Sequence, residues 1–295
     1  MFAVSRSGPD WQDDVFELCG GEHRTSVIAI RRHMKVCPKQ WDLSAGCDLN
    51  DPSEIAALWQ YLQNHRPLVA VLQPPCTPFG PWANFNAVTN AEAYQRSYRI
   101  CAPIARLAGD IALFQLSVGN HYWIEQPYPS GLFYEKPWPL IQTHPSNLTR
   151  VFDRCMTGQV TVYGDLVRKR TQVWVSDIEL ANPFEDLMCD GNHEHAHVEG
   201  SHTKATQTYT YDLASRIVLG IQRLLAKIAR TLRQQDKHQG AYPAATFSLP
   251  NCTFADFENF AETAFPASSS SVPPPADPAA SFAGCSRRWV GRRRD

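Results

Sequence analysis

Hydrophobic residues in the first part of the chain form two kinds of pattern, short uninterrupted runs and longer stripes at helical spacing. The clearest run, residues 68–72, contains only apolar side chains, which is typical of a central parallel strand covered on both faces. The clearest stripe is Ile55, Leu58, Trp59 and Leu62, which gives a helix one apolar face. Both patterns predict elements that bury a common core.

Strands and helices predicted in this way alternate along the chain. Further strands are expected at 14–19, 121–125, 160–163 and 172–176, a short strand with its loop at 41–50, and further helices at 24–34, 91–118 and 206–232. The alternation favours an α/β fold, an open, mostly parallel, Rossmann-like sheet with helices on both faces. Ligands of such sheets bind at the carboxyl ends of the strands, so we expect the functional side chains in those loops.

The periodic pattern ends near residue 236. Residues 267–278 consist mostly of Ala, Ser and Pro, and the chain ends in basic residues at 287–288 and 292–294. Such a composition does not bury enough apolar surface to fold by itself. We therefore predict an α/β domain over 1–236 and a low-complexity, largely disordered tail with a basic end over 237–295.

Charge and cysteine content narrow the setting. The 28 basic and 29 acidic residues give a net charge of −1, so any contact with nucleic acid requires a local basic patch. The nine cysteines are irregularly spaced and include no Cys-x-x-Cys, which indicates a reducing compartment, nuclear or cytoplasmic, rather than a disulfide framework. No apolar run approaches the ~20 residues of a membrane-spanning helix, so no membrane association is expected.

Polar motifs follow the predicted strands in a fixed order. They are a glycine-containing loop at 17–23, Asp42 after the second strand, Pro-Pro-Cys at 74–76, Glu-Gln-Pro at 125–127, and Tyr-Gly at 163–164 with Arg-Lys-Arg at 168–170. This order resembles the DNA cytosine-5 methyltransferase family over residues 15–175, and also the methyltransferase-like segments of retroelement polyproteins. The resemblance implies a class I methyltransferase-like fold and S-adenosylmethionine as cofactor.

The resemblance also assigns catalytic roles. Cys76 is the nucleophile that attacks C6 of a cytosine flipped out of DNA, because only a thiolate makes C5 reactive enough to accept a methyl group. Glu125 lies beside N3 of the base, where it shares a proton as charge develops. Arg168 and Arg170 alternate along a strand, point to one face, and hold the base carbonyl and a nearby phosphate.

Cofactor contacts follow from the first two strand ends. Two adjacent glycines permit close approach of the backbone, an acid after the second strand suits the ribose hydroxyls, and a second acid suits the adenine amino group. The residues expected to bind S-adenosylmethionine are Glu17, Cys19, Gly20, Gly21, Asp42, Asp48 and Pro74.

The chain departs from the family at several positions. His23 replaces the second loop glycine, Glu17 stands where Asp is usual, and only about thirty residues separate Ser176 from Thr206, where the family carries a target-recognition domain. An alternative interpretation is therefore a catalytically inactive, retroelement-derived module that binds nucleic acid.

A Cys/His-rich loop at 186–204 supports a third interpretation. Its candidate metal ligands are Cys189, His193, His195 and His197, a combination that suits zinc. The protein would then be a metal-binding interaction module, although alternating histidines are equally typical of a solvated loop.

Overall fold

A computed structural model describes residues 11–197 and 206–239, with side chains described up to residue 235. Five strands form one sheet in the order β1-β2-β3-β5-β4. They are β1 (Val15–Leu18), β2 (Val69–Leu72), β3 (His121–Pro127), β4 (Leu148–Asp153) and β5 (Arg170–Val175).

The first three strands are parallel, and β5 is antiparallel to both of its neighbours, β3 and β4. Parallel pairing brings Leu18 and Leu72, the last residues of β1 and β2, level with Ile124, and β3 continues three residues further. Beyond β1, two isolated parallel bridges pair Val15 with Val36 and Leu18 with Trp41. The loops that carry the predicted functional motifs therefore meet at one edge.

Helices cover both faces of this sheet. In the described residues they are α1 (Arg24–Arg31), α2 (Pro52–His65), α3 (Ala83–Thr89), α4 (Ala91–Ser117), α5 (Trp138–Gln142), α6 (Ile178–Ala181) and α7 (Tyr211–Gln239). Helix α2 begins as its sequence predicts, because the side chain of Asp51 accepts a hydrogen bond from the Ser53 amide (2.8 Å) and Pro52 occupies the first turn.

Alternation along the strands sorts the core into two clusters. Phe16, Leu72 and Ile124 belong to the cluster on the α2 and α4 face, whereas Val15 and Trp123 belong to the cluster on the α1 and α7 face. Because side chains alternate between faces, the glutamates two residues after Val15 and Trp123 also lie on the α1 and α7 face. Because helices cover both faces, the predicted open α/β sheet is confirmed, with its parallel part formed by the three N-terminal strands.

Helix α4 is long and apolar enough to cross a bilayer by length and composition alone. It nevertheless packs on β2 and β3, and its apolar side, including Ala105, Ala108 and Ile111, is fully buried there. This is the arrangement of a central helix on a sheet.

Several predicted element positions are wrong. Residues 160–163 form a single bridge between Val160 and Leu166 and then a turn, and residues 41–50 form one bridge and a 3-10 turn rather than a strand. Strand β4 was not predicted, because it is an edge strand with partly exposed polar side chains and lacks a buried apolar run. The tail beyond residue 239 and residues 198–205 of the Cys/His loop lie outside the described residues.

Candidate active site

The loop after β2 is held rigidly by the loop after β3. The carbonyl oxygen of Cys76 accepts hydrogen bonds from the amides of Phe79 and Gly80 (3.0 Å each), which closes a tight turn. The Gln126 side chain donates to the buried Pro74 carbonyl (3.0 Å), and the Gly131 amide donates to the Phe79 carbonyl (2.7 Å). The Gln of Glu-Gln-Pro thus fixes the backbone that presents Cys76.

Glu125 is buried at the carboxyl end of β3, with only 8% of its surface exposed. The Tyr209 hydroxyl donates to its Oε2 (3.1 Å), and Nη1 of Arg154 lies 4.0 Å from its Oε1. Arg154 has no exposed surface, and its Nη2 donates to the Gln159 side chain (2.7 Å) and to the Thr208 carbonyl (3.1 Å). The sequence did not point to Arg154 or Tyr209.

Three polar atoms of Glu125 and Arg154 have no hydrogen-bond partner within the described part of the chain after these contacts are counted. Among the described residues, Oε1 of Glu125 and both Nε and Nη1 of Arg154 are buried without a hydrogen-bond partner. Buried polar groups are nearly always hydrogen-bonded, because an unpaired one costs on the order of 1–3 kcal/mol. Nη1 of Arg154 and Oε1 of Glu125 lie 4.0 Å apart, so the two groups form a buried ion pair whose hydrogen-bonding capacity is not fully used.

The charges of Glu125 and Arg154 also act on the Cys76 thiol. Burial raises the pKa of the Cys76 thiol; the positive charge of Lys169 opposes this, the charge of Glu125 adds to it, and that of Arg154 lowers it. The net pKa is above the ordinary value, so the thiol is protonated at rest. The predicted nucleophile therefore lies within electrostatic range of the predicted acid and of two cations.

Arg168 and Arg170 make a different contact from the one predicted. Nε of Arg168 lies 3.2 Å from Asp153, and Arg170 donates to the same carboxylate through Nε (3.1 Å) and Nη2 (3.2 Å). Asp153 is completely buried and also accepts from the Cys189 amide (3.1 Å). Both guanidiniums do point to one face, but they tie β4 to β5, and the positive charge at Cys76 comes from Lys169 and Arg154.

The loop after β1 has an unusual backbone. Cys19, Gly21 and His23 are all left-handed, with φ values of 57°, 57° and 51°. A glycine is the usual residue for such a conformation, so Cys19 and His23 hold a backbone that residues with a side chain rarely adopt. At Gly20 a Cβ would lie 2.6 Å from Cδ of Glu17, so only glycine fits where the loop crosses that side chain.

The Glu17 side chain is buried beneath the loop after β1 and does not face solvent. Only 3% of its surface is exposed; its Oε2 accepts from the amide (3.0 Å) and hydroxyl (2.6 Å) of Ser26, and its Oε1 accepts from Gln73 (2.7 Å). Glu17 therefore joins β1, helix α1 and the end of β2. Its predicted contact with the cofactor would be indirect, through the loop that it shapes.

Asp42 closes the other side of the loop. Its two carboxylate oxygens accept from the amides of Gly21 (3.0 Å) and Ser44 (2.7 Å). Burial raises the pKa of Asp42, but these hydrogen bonds outweigh burial and hold it below its ordinary value. A carboxylate has about four lone-pair sites, so Asp42 can accept further donors such as ribose hydroxyls.

The other predicted cofactor residues surround this pair. Asp48 is exposed and caps its own turn by accepting from the Asn50 amide (2.9 Å). Cys19 donates its amide to the Trp41 carbonyl (2.9 Å), and burial raises the pKa of its thiol. Pro74 is buried behind the Cys76 loop. The structure thus brings Cys19, Gly21 and Asp42 together and leaves Asp48 at the rim.

Four potential metal ligands converge beside Asp153. The side chains of Cys155, Cys189, His193 and His195 place their ligand atoms within 4.8 Å of one another. Cys155 comes from the 3-10 turn after β4 and was not predicted, whereas the predicted His197 is not a member of this group. The fourth ligand thus comes from a different part of the chain than the loop pattern suggested.

No family model and no curated protein matches the chain. Among solved structures it is similar to the Dnmt2 methyltransferase of S. pombe, at 10% identity and a TM-score of 0.33, over 65% of this chain. The chain spans 62% of the length of that protein. At this identity and TM-score the likeness carries no argument about function, which therefore has to be judged from the side chains of the site itself.

Proposed function

We propose that the protein methylates C5 of cytosine in DNA, with S-adenosylmethionine as the methyl donor and Cys76 as the covalent nucleophile. The observation that carries this proposal is the electrostatic surroundings of the Cys76 thiol, on which a buried carboxylate and two cations act. Oε1 of Glu125 and both Nε and Nη1 of Arg154, which have no hydrogen-bond partner among the described residues, keep bonding capacity for the edge of one base.

The first step requires a thiolate. Burial disfavours this charge, and Lys169 is the group that most favours it. The thiol proton leaves to solvent as the thiolate forms. The thiolate forms an Sγ–C6 bond, and the electrons displaced from the C5–C6 double bond make C5 nucleophilic while negative charge develops toward N3. Glu125 donates a proton to N3 through Oε1 and takes it back when the Sγ–C6 bond breaks, and Arg154 stabilises the charge on this edge.

The residues of the β1 side fit the cofactor. The loop lies open above Gly21, where a Cβ would meet nothing within 4 Å, and Asp42 keeps lone pairs for ribose hydroxyls. Bound S-adenosylmethionine supplies the methyl group as an electrophile. After C5 accepts the methyl group, loss of the C5 proton to solvent and cleavage of the Sγ–C6 bond return Cys76 to its free form.

The test is a trapped adduct. In 5-fluorocytosine a fluorine replaces the C5 proton whose removal would release the protein, so the protein with S-adenosylmethionine and DNA that contains this base should form a complex that survives denaturing electrophoresis. Cys76→Ala should abolish the complex, whereas Cys37→Ser, at another half-buried thiol, should retain it. Absence of the complex although calorimetry detects cofactor binding would reject cytosine-C5 chemistry, and an adduct with RNA but not with DNA would reject DNA as substrate.

The engagement of Arg168 and Arg170 by Asp153 favours a second candidate, a methyltransferase-like module that binds nucleic acid without catalysis. In that case the two guanidiniums are structural and the raised pKa of Cys76 reflects a thiol that is never activated. Calorimetry separates the two candidates, because this module predicts no heat with S-adenosylmethionine and no change in Asp42→Ala.

A further inference from the structure

We propose that Cys155, Cys189, His193 and His195 bind one zinc ion, and that this ion fixes the turn from which Arg154 faces Glu125. Zinc binding is independent of the proposed function. The consequence for the base pocket rests on that function.

Distances within the group match tetrahedral zinc. With Zn–S near ~2.3 Å and Zn–N near ~2.0–2.1 Å, a tetrahedron separates a sulfur from a nitrogen ligand by ~3.5 Å. Sγ of Cys189 lies 3.6 Å from Nε2 of His193 and 3.4 Å from Nε2 of His195. The Cys155 thiol joins the same group, so two sulfur and two nitrogen atoms converge within 4.8 Å of one another, as they do around a shared cation.

The surroundings favour a metal thiolate. The Gly191 amide points at Sγ of Cys189 (3.4 Å), and Asp153 accepts from the Cys189 amide (3.1 Å), so the ligand is oriented from both sides. The loop is pinned again where the Ala196 amide donates to the Leu166 carbonyl (2.8 Å). Two sulfur and two nitrogen ligands select zinc over Mg²⁺ or Ca²⁺, and four protein ligands close the coordination sphere, which makes the site structural rather than catalytic.

Such an ion would act on the active site through one peptide bond. Cys155 directly follows Arg154, whose amide donates to the Lys169 carbonyl (3.0 Å). The metal would therefore join the end of β4 to the 189–195 loop at the point from which Arg154 and Lys169 are held near Cys76. The guanidinium of Arg154 is held through Nη2 by Gln159 and Thr208, and the metal would in addition fix the backbone that carries it.

Metal content of the full chain tests the site. Protein purified under reducing conditions with zinc should contain about one equivalent by elemental analysis, and X-ray absorption should show two sulfur and two nitrogen ligands. Cys155→Ser and His195→Ala should lose the metal, whereas the matched control His197→Ala should keep it. X-ray absorption on the unaltered protein keeps the test decisive if a variant fails to fold.

Two kinds of result would contradict the proposal, one rejecting the metal site and the other rejecting its ligands. Less than about a tenth of an equivalent of zinc in unaltered protein would reject the site, as would a disulfide between Cys155 and Cys189 in its place. Retention of zinc by Cys155→Ser, or loss in His197→Ala equal to that in His195→Ala, would reject the ligand set.

The effect on Arg154 has its own measurement. Zinc-free protein should still bind S-adenosylmethionine at the β1 loop but form the 5-fluorocytosine adduct at least about tenfold more slowly, with recovery on zinc addition. Unchanged adduct formation without zinc would remove the positioning role. One equivalent of zinc in a protein that forms no adduct would instead leave the metal site standing and overturn the proposed function.

Discussion

Two buried glutamates, Glu17 on β1 and Glu125 on β3, occupy the same face of the sheet and show opposite environments. Both oxygens of Glu17 are hydrogen-bonded within the protein, to Ser26 and Gln73. Glu125 has one oxygen paired with Tyr209 and the other unpaired among the described residues. Burial is therefore common to both acids, but only Glu125 keeps hydrogen-bonding capacity beside a countercharge, which is what its proposed catalytic role requires.

The largest effect is expected when Arg154, the countercharge of Glu125, is removed. Arg154→Met leaves Glu125 buried without its partner, and breaking a buried ion pair costs about 3–5 kcal/mol of unfolding free energy. Urea denaturation measures this loss. The double variant Arg154→Met with Glu125→Gln should recover part of it, and a loss below about 1 kcal/mol would show that the pair is not electrostatically coupled.

Replacing each acid by its amide compares the two sites directly. Glu17→Gln should destabilise the protein by about 1–3 kcal/mol, because one amide nitrogen must face a donor from Ser26 or Gln73. Glu125→Gln instead removes the countercharge of the fully buried Arg154, so it should cost more, about 3–5 kcal/mol. Equal costs in urea denaturation would contradict the distinction between a hydrogen-bonded glutamate and an ion-paired one.

Two neighbouring glycines test how Glu17 shapes its loop. Gly20→Ala forces a Cβ to within 2.6 Å of the Glu17 side chain and should cost more than Gly21→Ala, where the added Cβ meets open space. The second change still costs about 1–2 kcal/mol because φ is +57°. Thermal unfolding with and without S-adenosylmethionine measures the stability of both variants. A larger loss of stability in Gly21→Ala than in Gly20→Ala would show that the Glu17 side chain does not limit the space at Gly20.

The smallest expected effect concerns the reactivity of Cys76. Since burial and Glu125 raise the pKa of the thiol and Lys169 lowers it, Glu125→Gln should speed alkylation by iodoacetamide at pH 7.5 and Lys169→Met should slow it, each by up to about tenfold. The rate should rise with pH until it passes a pKa above the ordinary cysteine value.

Cys76→Ala corrects this measurement for alkylation at other thiols. Equal rates in the unaltered protein and both variants would show that neither charge acts on Cys76.

The apolar pattern by itself determined the layers of this protein. The run at 68–72 and the stripe on α2 specify a covered strand and its helix, because periodicity is a local property of the chain. The same local information placed Cys76, Glu125 and the Gly20–Gly21 pair at carboxyl ends of parallel strands, where one edge collects them.

The contacts between charged side chains could be read only from the tertiary structure. Arg168 and Arg170 were the natural partners of the site by motif, yet Asp153 on the neighbouring strand binds both. Arg154, Lys169 and Tyr209 are far from Cys76 along the chain and reach the pocket only through the packing of β4, β5 and the segment before α7. Likewise Cys155, not His197, completes the metal group. Pairing of charges and ligands depends on distances across strands, which no local pattern encodes.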